Sequence, residues 1–316
     1  MRIIASGATA WALLLSTSCA RRSRADANEE AGSSAHRAAR QGGKPRTAAP
    51  PPALAVADPK DYRWLNRLSQ EDLLVNRIRP PQGYVRTAAP EGSFGRWLRH
   101  LPLKKGRPDV LLHDGRKKRN QSAHWAVVDI GVGPKDLQQC ADAVIRLRAE
   151  YLFARGRHDL IHFNFTSGDR ADWTRWSNGY RPAVSRNKVA WRRTAAPDGS
   201  RQSFRKYLDA VFTYAGSASL SGELVPVRDA GDTQIGDVFI HGGFPGHAAI
   251  VVNMAVDPAD DMKLFLLAQS YMPAQDIHIL VNRADATLSP WYRVQAGEAV
   301  NTPEWAFWPG ELRRFR

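Results

Sequence analysis

Cysteine is scarce: the 316 residues contain two, Cys19 and Cys140. A scaffold stapled by several disulfides is excluded, because two thiols make one bridge at most. Acidic residues are few beside basic ones, 31 Asp and Glu against 45 Lys and Arg, which leaves a formal charge of +14 and a pI near 10.2. A field of that sign draws anionic polymers and head groups and says nothing about fold. No internal repeat is visible. No apolar run beyond residue 15 approaches the roughly 20 residues that a membrane-spanning helix needs. No His-x-x-x-His or Glu-x-x-His helix and no cysteine pair marks a metal site, and the glycines of residues 242–246 are not followed by the Lys-Ser/Thr and helix of a phosphate loop. No cofactor is expected on these grounds. Two distributed arrangements stay open: a metal held by His124, His162, His241 and His278, and a carboxylate pair among Asp142, Glu150 and Asp237 for sugar hydrolysis.

What is present begins with an export pattern. Met1-Arg2, an apolar run over residues 3–15 and Ser16-Thr17-Ser18-Cys19 have the charge, length and small-residue ending of a secretory signal. Small residues before Cys19 also resemble a bacterial lipobox, with Ser16 where leucine is preferred. Residues 1–19 are therefore expected to be a signal peptide, with Cys19 as the lipidation site that anchors the protein to a membrane. Plain secretion and a retained anchor are the alternatives. Residues 20–58, rich in Arg, Ala, Ser and Pro, bury too little apolar surface to offset chain entropy and are expected to be a disordered tether. An exported protein of the cell envelope does not have nucleic acid as its natural partner.

Residues 59–316 carry the apolar material of a core and show no composition break, so one domain is expected. Helical spacing marks residues 93–101, with Ser93 as cap, then 137–153, with Asp136 as cap, and 203–214. β-Branched and alternating stretches mark strands at 124–130, 161–165, 238–240, 248–252, 264–268 and 277–280. Helices first and a strand-rich end predict an α+β fold, an antiparallel sheet with helices packed on one side. Trp173, Trp176 and Tyr180 form either a pocket wall or a local core. Lys104-Lys105 and residues 116–119 read as solvated basic loops, with a hold on an anionic polymer as the alternative.

Three residues suggest chemistry. A thiol attacks a carbonyl only when partly ionised, and the first turn of a helix stabilises the thiolate, which is where Cys140 falls. The plainer reading is a small buried residue. His247 begins a strand after a glycine-rich reversal, where it can serve as general base or satisfy a turn. Gln269 ends the next strand, where its amide oxygen can orient the imidazole or simply bond backbone. The order of a cysteine at a helix start, Gly236-Asp237-Val238, His247-Ala248 and a polar residue on the following strand resembles the papain-like NlpC-type and CHAP-type peptidoglycan hydrolases. That resemblance implies a papain-like core with an insertion, and Cys140 as nucleophile, His247 as base and Gln269 as orienter. Residues 136–144, 163–168, 245–248 and 266–275 also resemble a bacterial family of unknown function, number 4846, which implies no activity. Two functions follow: a cysteine hydrolase acting on cell-wall peptide amides, or a non-catalytic envelope module binding a wall glycan or anionic polymer. A metal- or carboxylate-dependent hydrolase is the third possibility.

Overall fold

The computed structural model describes residues 53–316; the expected signal segment, Cys19 and residues 20–52 of the tether lie outside them. Residues 53–58, assigned to the tether by composition, are pinned to the domain. Ala55 and Ala57 donate their amides to Asn76 Oδ1 and Gln70 Oε1, both at 2.9 Å.

The helices are α1 (Leu74–Arg77), α2 (Phe94–Arg99), α3 (Cys140–Ala154), α4 (Trp173–Ser177), α5 (Arg201–Tyr214) and α6 (Ser217–Glu223). The strands are β1 (Val85–Arg86), β2 (His124–Val127), β3 (His162–Asn164), β4 (Arg170–Asp172), β5 (Tyr180–Ser185), β6 (Lys188–Arg193), β7 (Val225–Pro226), β8 (Val238–His241), β9 (His247–Val256), β10 (Lys263–Gln269), β11 (His278–Leu280), β12 (Tyr292–Arg293), β13 (Val300–Asn301), β14 (Ala306–Phe307) and β15 (Leu312–Arg314). Nine of the strands form one sheet in the order β2-β11-β10-β9-β8-β15-β7, with β1 on β9 and β12 on β10. Every pairing in it is antiparallel. The protein is thus a mixed α+β fold built on a large antiparallel sheet.

Alternation along the strands creates two apolar faces. Val238, Ile240, Ala248, Ile250, Val252, Leu264, Leu266 and Ala268 turn one way, into a core shared with Cys140, Val144, Leu147, Trp97 and Leu220 of the helices. Phe239, Ala249, Val251, Phe265 and Leu267 turn the other way and meet Tyr292, Phe307 and Leu312. The second face is covered by the C-terminal segments rather than by a helix. Trp173 and Trp176 belong to the helical core, where Trp173 packs on Phe153, Phe204 and Tyr207, so they form local core and not a pocket wall.

Helix α5 is capped at Ser200, whose Oγ accepts from Ser203 N at 3.2 Å. It covers the expected span with two residues added at its start. Helix α3 begins three residues later than its spacing predicts. Asp136 is not its cap, because that carboxylate accepts from Ala274 N at 2.6 Å and from Gln139 Nε2 at 3.1 Å. Gln139 takes the capping position instead, and its amide donates to Asp142 Oδ2 at 3.1 Å.

Candidate functional site

That shift puts Cys140 at the first residue of α3, among the backbone N–H groups that a helix start leaves free. Its Sγ lies 4.0 Å from the carbonyl oxygen of Gly246 and also meets the amide of Ala248, so it touches the backbone on both sides of His247. Burial pushes the thiol up to about 11; the amides of Ala141 and Ala248 oppose this shift and the Asp142 carboxylate adds to it. Cys140 opens onto a cleft of about 240 Å³ shared with Asp142, Ser217, Phe244, Gly246 and Met272. Gly246 is obligatory here, since a Cβ would collide with Ser217 Oγ and the carbonyl oxygens of Gly243 and His241.

His247 and Gln269 meet directly: Nε2 of the ring is 2.8 Å from Oε1 of the amide. The contact has a defined polarity. Gln269 Nε2 donates to Glu304 Oε2 at 2.9 Å, so its oxygen must face the ring and accept a hydrogen bond from Nε2–H. Glu304 is held in turn by Lys118 Nζ and by Asn120 Nδ2, the latter at 3.2 Å. This chain of bonds leaves the His247 Nδ1 lone pair free, with no hydrogen-bond partner among the described residues. Burial pushes the imidazole down to about 4, against the raising effect of the Gln269 bond, so the ring is neutral at physiological pH. Tyr271, Trp305 and Phe307 close around it at 4.9, 5.3 and 5.7 Å between ring centres.

The structure joins His247 to Gln269 but forms no hydrogen bond between Cys140 Sγ and the imidazole. By strand alternation His247 and Gln269 project to the face covered by Phe307, whereas α3 packs on the other face. At the start of β9 the thiol therefore lies on one side of the strand and the imidazole on the other. The Tyr271 ring packs on His247, and burial, followed by the nearby Glu304 charge, pushes its hydroxyl upward.

The model of the family described as domain of unknown function (4846) matches residues 74–314. The chain belongs to that family. No curated protein and no solved structure matches it. Nothing in these matches supports the likeness of the family-4846 domain to NlpC- and CHAP-type hydrolases.

The other candidate groups are distributed differently. Glu150 is buried between Arg146 Nε at 2.7 Å and Arg201 Nη1 at 2.8 Å, and Asp237 is engaged by Arg314 Nε at 2.6 Å and Gln234 N at 2.8 Å. These two carboxylates are committed to ion pairs. Asp142 differs: its Oδ1 is buried without a partner, and burial pushes the carboxyl up to about 8. Among the described residues no three His, Cys, Asp or Glu side chains converge to hold a metal. None of the described helices is long and apolar enough to cross a membrane. Lys118 is not the solvated loop residue that its Arg116-Lys117-Lys118-Arg119 setting suggests; it is buried and paired with Glu304. Neither Lys118 nor Glu304 carries a local sequence signal for this role, because their partners lie far along the chain.

Proposed function

We propose that the family-4846 domain is a cysteine-dependent hydrolase of the cell envelope that cleaves peptidoglycan-like amides. The observation that carries this reading is the tautomer of His247: Nε2–H is committed to Gln269, and Nδ1 is left as a lone pair one residue from the backbone that Cys140 touches. A general base needs an unprotonated nitrogen near the proton it removes, held by a third group. In the reaction, Nδ1 takes the thiol proton as sulfur attacks the amide carbonyl. The C–N bond breaks, the amine leaves with that proton, and a thioester remains. Water, deprotonated by Nδ1, then releases the acid and restores the thiol.

The resting site is neutral, with a thiol and an unprotonated imidazole on either side of β9. Attack requires the His247 ring to turn toward the thiol, beside Gly243 and Gly246 of the preceding reversal. The test uses the full chain and purified sacculi, with new free termini read by mass spectrometry. Release by the wild type that is lost in Cys140→Ala and in His247→Ala is the expected result. No release, or equal release by Cys140→Ala, rules the reading out.

One observation favours a second reading, an envelope module that binds without cleaving. The Cys140 thiol is pushed up to about 11 and is not bonded to the imidazole. That reading expects sacculi to be bound intact, with Cys140 alkylated only after denaturation.

A further inference from the structure

We infer that the hairpin of β5 and β6, with the cleft at its base, is a binding site for an acidic polysaccharide. The site shares no lining residue with the Cys140 cleft and does not depend on catalysis there.

The hairpin carries Arg181, Arg186, Lys188, Arg192 and Arg193 and no acidic residue. Arg181 is occupied: its guanidinium lies 4.0 Å from the Trp176 ring centre. Arg186, Lys188, Arg192 and Arg193 are exposed, and among the described residues none of them enters an ion pair. Elsewhere on the surface basic side chains do find partners, as in Lys117 with Asp109 and Arg116 with Asp114, both at 2.6 Å. Unpaired like charges on a two-stranded ribbon repel one another, and an anion lying along the ribbon relieves that cost.

Charge alone would suit a nucleic acid or an anionic membrane equally well. The cleft decides between them. It is open, about 710 Å³, and lined by Asp172, Thr174, Arg175, Asn178, Tyr180 and Trp191. Cross-strand pairing sets Tyr180 opposite Arg193 and Pro182 opposite Trp191, so both aromatic residues and Arg193 share one face of the hairpin. Trp191 is held by stacking on Phe165 at 6.3 Å and 16°, with the Arg175 guanidinium 5.4 Å over its ring. Tyr180 remains 37% exposed. The exposed ring of Tyr180 beside amide, hydroxyl and carboxylate side chains matches a pyranose ring, whose C–H face is apolar and whose edge carries hydroxyls. Asp172, whose Oδ1 is paired with Arg170 Nε at 2.6 Å, can accept from a sugar hydroxyl.

The test is calorimetric titration of the full chain with polygalacturonate, using dextran, poly-L-glutamate and duplex DNA as comparisons. Polygalacturonate is expected to bind at least tenfold more tightly than each comparison, and to weaken as salt rises. Arg192→Ser with Arg193→Ser is expected to weaken polygalacturonate and poly-L-glutamate alike. Tyr180→Ala is expected to weaken polygalacturonate about tenfold and to leave poly-L-glutamate unchanged. An unfolding midpoint unchanged from the wild type in each variant controls for loss of fold. Absence of polygalacturonate binding, equal binding of poly-L-glutamate or DNA, or indifference to Tyr180→Ala overturns the inference.

Discussion

Asp142→Asn offers a measurement in which stability and the environment of the thiol are read together. Asp142 is buried on the first turn of α3; one oxygen accepts from Gln139 N and the other has no partner. Below about pH 4 the carboxyl is protonated both folded and unfolded, so burial exacts no ionisation cost. As pH rises past the unfolded value of 3.8, the unfolded chain loses this proton while the folded chain keeps it up to about 8. Stability from this group is therefore full at acid pH and is lost as pH climbs through that window. At about 1.4 kcal/mol per pKa unit, the loss between about pH 5 and about pH 9 is roughly 4 kcal/mol. Asparagine has no such slope. It keeps an oxygen for Gln139 N, and its unpartnered amide adds a pH-independent cost of about 1–3 kcal/mol. The quantity to measure is the stability difference between variant and wild type, from urea unfolding at the two pH values. It should move by roughly 4 kcal/mol in favour of asparagine at the higher pH. A change below about 1 kcal/mol would mean that Asp142 is solvated or paired in the folded chain, and the account of the cleft would fail. Removing the carboxylate also takes one raising influence from Cys140, so the thiol of the variant should alkylate at lower pH than that of the wild type.

Three further outcomes follow from geometry already described. Gln269→Leu removes the acceptor for His247 Nε2; the ring should populate both tautomers by nitrogen NMR, and amide release should fall about a hundredfold. Leu266→Ala empties a fully buried site on the helical face of the sheet and should cost about 2–5 kcal/mol in chemical denaturation. Ser200→Ala removes the cap of α5 and should cost about 1 kcal/mol by the same assay, with no effect on the Cys140 cleft.

The strands of the main sheet were readable because burial on both faces makes β8, β9 and β10 continuous apolar runs, which end at a glycine-rich reversal and a polar turn. The long helix was readable in its body but not at its start. Nothing local distinguishes Asp136 as a cap from Asp136 as the acceptor for Ala274 N, a residue brought to it only by the finished sheet. The same limit governs the site. Gln269 is visible because it ends the strand beside that of His247, and the pair is formed by register. Lys118 and Glu304, which fix the polarity of that pair, come from segments with no periodic pattern and are positioned by packing alone. Trp173 and Trp176 resemble surface aromatics because their neighbours are polar; their burial comes from Phe204 and Tyr207 of a separate helix.

The placement of β2 at one end of the sheet has a kinetic consequence. His278 pairs with Val127, and more than half of the described residues lie between them. The hairpins of β8, β9 and β10 close short loops and can assemble early, whereas β2 must wait for a large loop to close. Until it docks, β11 presents an unpaired edge, so a refolding chain is most prone to mispair with its neighbours at the strand that carries His278.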